Sequence, residues 1–138
     1  MKPYKTFSPP QSLLDQIGQE YGGVYTVYVL DAKEYLETAE TLTRNKRFSA
    51  EAQGKLAEPF TESELRTAIL YRCTTKDDAP LPKDLPSKLF EVLSCVAIPL
   101  NMLTQEEGRM LLECFCDPEK DQHSTLDQLS PAGFSPFG

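Results

Sequence analysis

The sequence predicts a small α+β domain, mainly helical, with one or two strands near residues 24–30. Three observations carry that expectation. Apolar residues recur at three- and four-residue spacing in several separate segments, the pattern of helices that bury one face. Three segments open on a capping box, in which a side chain at the helix start and a glutamate three residues on satisfy each other's free N–H groups: Asp31 with Glu34, Thr61 with Glu64 and Thr104 with Glu107. One short run, Val24 to Leu30, is β-branched and aromatic and follows a Gly-Gly pair, as a strand does. With 138 residues, 40% of them apolar, the chain has material for one core and not for two.

Residues 1–8 carry no period and are expected to be irregular. Pro10 to Glu20 reads as a short helix with Leu13, Leu14 and Ile17 on one face, closed by Gly22 and Gly23. In the strand, Val27 and Val29 face one side and Tyr28 and Leu30 the other. A lone strand is not stable, so it needs a partner: residues 69–75, the N-terminal residues or another chain.

Asp31 opens a helix whose inner face is read as Ala32, Tyr35, Leu36, Ala39 and Leu42. Arg44, Lys46 and Arg47 gather toward its expected C-terminal end, where the helix dipole favours positive charge. Ser49 to Glu58 reads as a separate, weaker helix, interrupted by Gly54 and ended before Pro59. Leu65 to Cys73 is better read as helix, with Ile69 to Thr75 as an alternative strand. A proline-rich charged loop covers residues 76–85. Pro86 leads a helix over Ser87–Ala97, apolar at Leu89, Phe90, Leu93, Val96 and Ala97, which Pro99 is expected to stop. The last helix follows Thr104 through Met110, Leu111, Leu112 and Phe115. Residues 1–116 are therefore read as one compact domain and 117–138 as an acidic, proline-containing tail.

Charge excludes one class of function. The chain carries 14 basic and 21 acidic residues, a net charge of −7, whereas sequence-independent nucleic-acid binding needs clustered Lys and Arg to displace counterions. Much of the acidity is late: residues 101–138 hold seven acids and two bases, net −5. No run of 18 apolar residues offers a transmembrane helix, and the N-terminal residues lack the apolar stretch of an export signal. A cytoplasmic protein with reduced thiols is the expectation, with no membrane partner and no direct nucleic-acid binding.

The constellations that carry chemistry are incomplete. Cys114 and Cys116 form a C-x-C with His123 beyond, half of a zinc site, and flanking Phe115 at the end of an apolar helix explains them as well. A thiol nucleophile would have to use His123, the single histidine. Asp117, Glu119 and Asp121 have calcium-loop spacing, but Gln122 stands where the turn needs Gly and Gln128 where a bidentate Glu belongs. No phosphate-cradling loop and no nucleophile elbow is present. The expectation is a non-enzymatic protein with no catalytic residue, no metal and no cofactor. The apolar faces of the last two helices remain, and Leu89, Phe90, Leu93, Met110, Leu111 and Phe115 are the candidate partner-binding residues.

The strand Gly22-Gly23-Val24-Tyr25-Thr26-Val27-Tyr28-Val29-Leu30, followed at once by Asp31-Ala32-Lys33-Glu34-Tyr35-Leu36-Glu37, resembles the opening of phage tail assembly chaperones. The later succession is similar too: the apolar helix Leu65–Tyr71, the Thr-Lys-Asp-Asp loop with prolines over Thr75–Pro86, and Leu-Pro-Ser-Lys-Leu-Phe at 85–90. The likeness is one of element order over about residues 22–116. It implies a small, mostly helical protein that binds the long tape measure protein during tail assembly, in a host's cytoplasm if the chain is viral. A second reading, from the late acidity alone, is a small acidic inhibitor that occupies the nucleic-acid site of a processing enzyme by charge mimicry. A third is a thiol or metal enzyme built on Cys73, Cys95, Cys114, Cys116 and His123.

Overall fold

The computed structural model describes residues 2–115. Its elements run β1 (Lys2–Phe7), α1 (Gln11–Ile17), a single 3₁₀ turn (Gln19–Tyr21), β2 (Tyr25–Val29), α2 (Ala32–Ala52), α3 (Glu62–Cys73), β3 (Thr74–Lys76), β4 (Ala79–Pro80), α4 (Ser87–Asn101) and α5 (Gln105–Leu112). The fold is mainly helical with a small antiparallel sheet, as the sequence indicates. Two compact units divide the chain, the first ending at Asn101 and the second beginning at Met102, whereas the sequence suggests one domain over 1–116.

The first unit is built on the sheet, whose strands lie in the order β1-β2-β3-β4 and pair antiparallel throughout. Side chains alternate across β2: Tyr25 and Val27 are buried, Thr26 and Tyr28 half-buried. Helices α3 and α4 pack on each other and on β2. Ile69, Leu70 and Cys73 of α3 meet Leu89, Leu93 and Ala97 of α4 in the core over Tyr25 and Val27. Leu81, in the loop before α4, closes it. The two strands that partner β2 come from two of the expected sources at once, the N-terminal residues and the stretch after α3.

Asn101, the last residue of α4, fastens that helix to the end of β2. Its Oδ1 accepts from the Leu30 N–H at 2.8 Å, and its Nδ2 donates to the Tyr28 carbonyl at 3.0 Å and the Ala97 carbonyl at 3.1 Å. At the opposite end of β2, Asp77 accepts from the Val24 N–H at 2.9 Å and donates its own N–H to the Val24 carbonyl at 2.8 Å. Gly23 makes room for this: its φ is +138°, and a Cβ there would stand 2.5 Å from the Asp77 carboxylate. Tyr25 donates its hydroxyl to the Tyr21 carbonyl at 2.6 Å, and burial pushes that hydroxyl up to about 12.

All three capping boxes form as read. Several other expectations are corrected. Residues 2–7 are a strand, not irregular; β1 is an edge strand exposed at every position but Phe7, so no alternation marks it. Both readings of 65–75 hold in part, because α3 runs to Cys73 and β3 starts at Thr74. The separate helix at 49–58 does not exist: α2 continues unbroken to Ala52, and Gly54, at φ +66°, lies in the turn that follows. The last turn of α2 therefore holds no base, and Arg44, Lys46 and Arg47 lie too far inside it to complement its dipole. Leu36 is exposed, and the inward side of α2 centres instead on Thr38, whose hydroxyl donates to the Glu34 carbonyl. Pro99 does not stop α4. The carbonyl it leaves unbonded is that of Cys95, on an exposed part of the helix where water can take the place of the missing N–H.

Candidate interaction surface

The six sequence-nominated residues fall into two groups. Leu89 and Leu93 are fully buried in the core of the first unit, so neither is available to a partner; the broad apolar face of α4 is a packing face, with Phe90 half-buried at its margin. Met110, Leu111 and Phe115, in the second unit, are 65%, 50% and 74% exposed.

Local chemistry explains why α5 holds its shape while showing these side chains. The Thr104 hydroxyl accepts from the Glu107 N–H at 3.1 Å, and the Glu107 carboxylate accepts from the Thr104 N–H at 3.2 Å. Glu106 and Glu107 lie in the first turn and Arg109 in the last, each matched to the helix dipole. Gly108 is the buried residue of the helix. The helix ends at Leu112, short of the expected Phe115, and the Cys114 and Phe115 N–H groups close the end on the Leu111 and Leu112 carbonyls. Leu103, just before the cap, is also exposed. Four large apolar side chains thus flank a short, capped, acidic helix, an arrangement suited to apolar contact with another polypeptide.

The first unit shows a second exposed apolar group that the sequence does not nominate. Helices α2 and α3 run antiparallel, tied by Arg72–Glu37 at 3.2 Å and Lys46–Glu64 at 2.9 Å. The Lys46 ammonium, more than the backbone N–H of Thr61, holds the Glu64 carboxyl below its ordinary range. Beyond Lys46, Phe48 stands exposed, and Leu56, in the connection to α3, is 94% exposed. Phe48 lies within the continuous helix α2 and Leu56 beyond its end at Ala52, in a stretch the sequence reads as a separate helix over 49–58.

The described thiols differ in burial. Cys73 is buried, its Sγ near the Leu70 carbonyl and the Thr74 hydroxyl, and burial pushes its thiol up; Cys95 and Cys114 are exposed and free. Among the described residues no three His, Cys, Asp or Glu side chains are grouped to hold a metal ion. Cys116, His123, the calcium-like spacing at 117–128 and the expected acidic tail lie outside the described residues. Taken as one stretch, Ser87–Leu112 is long and apolar enough to cross a membrane, although it holds no uninterrupted run of 18 apolar residues; helix α4 ends at Asn101, and Leu89, Leu93 and Ala97 of that stretch are buried in the core. No family model, no curated protein and no solved structure matches the chain.

Proposed function

We propose that this chain is a non-enzymatic protein-binding module that presents the apolar side chains of α5 to a partner polypeptide. The observation that carries the reading is the exposure of Met110, Leu111 and Phe115 on one capped helix and its immediate C-terminal end. Side chains of this size are the usual anchors of helix-in-groove and helix-on-helix recognition, and leaving several of them in water is unfavourable unless a partner covers them. The acidic residues around them keep the free protein soluble without blocking apolar contact.

The partner most in keeping with the sequence is a long, helix-rich tail protein, the tape measure protein that the resemblance to tail assembly chaperones implies, bound in the cytoplasm before assembly. Affinity capture from source cells at low and at high salt tests this. Apolar recognition keeps such a partner at about 1 M salt, where the Debye length is about 3 Å. A nucleic-acid-processing enzyme that is captured at low salt and lost at high salt would replace this reading with acidic mimicry.

A further inference from the structure

The sheet of the first unit has a second face, and it carries no charge. In the register of the strands, Thr6, Thr26, Thr75 and Pro80 stand directly opposite one another in one row across β1, β2, β3 and β4. Pro3 and Tyr28 form the next row. These six alternate with Tyr25, Val27 and Thr74, the buried residues that face α3 and α4, so they lie on the side of the sheet away from those helices. Pro3, Thr6 and Pro80 are exposed and Thr26, Tyr28 and Thr75 half-buried. In a chain with 25% charged residues, a solvent-side sheet face normally interleaves Lys and Glu; here the lysines of β1, Lys2 and Lys5, pair with Val29 and Val27 and so belong to the other face. The Thr75 Oγ1 is in addition buried with no hydrogen-bond partner among the described residues.

We propose that this face is where two copies of the chain meet, sheet against sheet, in a weak two-fold dimer. Two properties favour a second copy over a different protein. A two-fold interface must be complementary to itself, and a threonine hydroxyl both donates and accepts, so a row of Thr6, Thr26 and Thr75 can bond its own image. Each copy carries a net charge of −7, so like copies repel except where a face sets no charge against its image, as this one does. The size of the face limits the strength. At strand spacings of about 4.8 Å and about 3.3 Å per residue it offers a few hundred Å² per copy. The total is below the roughly 1,200 Å² of a standard stable interface, which suits a dissociation constant on the order of 100 μM.

Sedimentation of the full chain from about 10 μM to about 1 mM reads the dimer directly. The expected result is a concentration-dependent rise toward dimer that Thr26→Lys weakens about tenfold or more, because a two-fold pair sets each new ammonium near its image. Thr6→Lys, at an exposed position that does not threaten folding, is expected to weaken it as well. Met110→Asp, in the other unit, is expected to leave it unchanged. A chain that stays monomeric to about 1 mM overturns the proposal, as does a dimer indifferent to Thr6→Lys or one abolished by Met110→Asp.

Discussion

Asn101→Ala removes three hydrogen bonds in one substitution, all at the junction of α4 with the end of β2. The Leu30 N–H and the Tyr28 carbonyl each lose a side-chain partner at the point where β2 leaves the sheet. A neutral hydrogen bond contributes about 0.5–1.5 kcal/mol net. Asn101 is half-buried, so water can reach part of what is exposed, and the expected loss is about 2–3 kcal/mol rather than the upper sum of about 4.5. At about 4 °C per kcal/mol for a chain of this size, that lowers Tm by roughly 8–12 °C. Asn101→Asp sharpens the test. The carboxylate still accepts from Leu30 but turns a negative charge toward the carbonyl oxygens of Tyr28 and Ala97, at the negative end of α4. It is expected to be less stable than Asn101→Ala at pH 7. Those neighbours raise the pKa of the new carboxyl in the folded state above its unfolded value. The stability of this variant is therefore fully present below about pH 4 and lost as pH rises through the folded pKa. Urea unfolding followed by circular dichroism at pH 4 and 7 measures both effects. An Asn101→Asp variant as stable as the parent at pH 7, or one whose deficit ignores pH, would refute the role given to Asn101.

Asp77 and Asp78 both have positive φ, 50° and 63°, in the two-residue turn between β3 and β4, a conformation that favours glycine. Asp78→Gly should raise stability by about 0.5–1 kcal/mol, read as a higher urea midpoint, while Asp77→Gly should lower it because Asp77 also holds Val24. Cys95 and Cys114 should react with a thiol reagent in the folded protein, and Cys73 only on unfolding, as peptide mapping of the labelled chain would show. The Asp31 carboxyl is held below its ordinary range, first by the Glu34 N–H, and Glu64 first by Lys46. Depressed carboxyls contribute above their unfolded pKa and lose that contribution as pH falls through the folded value. Amide exchange should therefore rise first at the N-terminal ends of α2 and α3 as pH drops below about 4. Leu93→Ala, in the core, should cost about 2–5 kcal/mol, whereas Leu36→Ala should change stability by less than about 0.5 kcal/mol because Leu36 stands in solvent.

What was legible in the sequence is local. Capping boxes are written in four consecutive residues, and all three formed; the strand at 25–29 is marked by its β-branched and aromatic run. What was hidden depends on tertiary partners. An edge strand such as β1 has no buried alternation to betray it, and its pairing is supplied by β2. Pro99 continues a helix because Cys95, the residue whose carbonyl it orphans, is exposed and because Asn101, two residues on, is fastened to β2. The six candidate residues divide between core and surface for the same reason. An apolar helical stripe looks identical whether it packs inward, as Leu89 and Leu93 do, or outward, as Met110 and Leu111 do. Only the placement of α3 and α4 over Tyr25 and Val27 separates them.

The most direct test of α5 as a binding surface compares the parent chain with Met110→Asp and Phe115→Asp in capture from source cells at about 1 M salt, each variant first shown to melt as the parent does. The account predicts a long, helix-rich polypeptide retained by the parent and lost by both variants with no change in Tm. Equal retention by the variants, or a parent that releases its partner as salt rises, would contradict it.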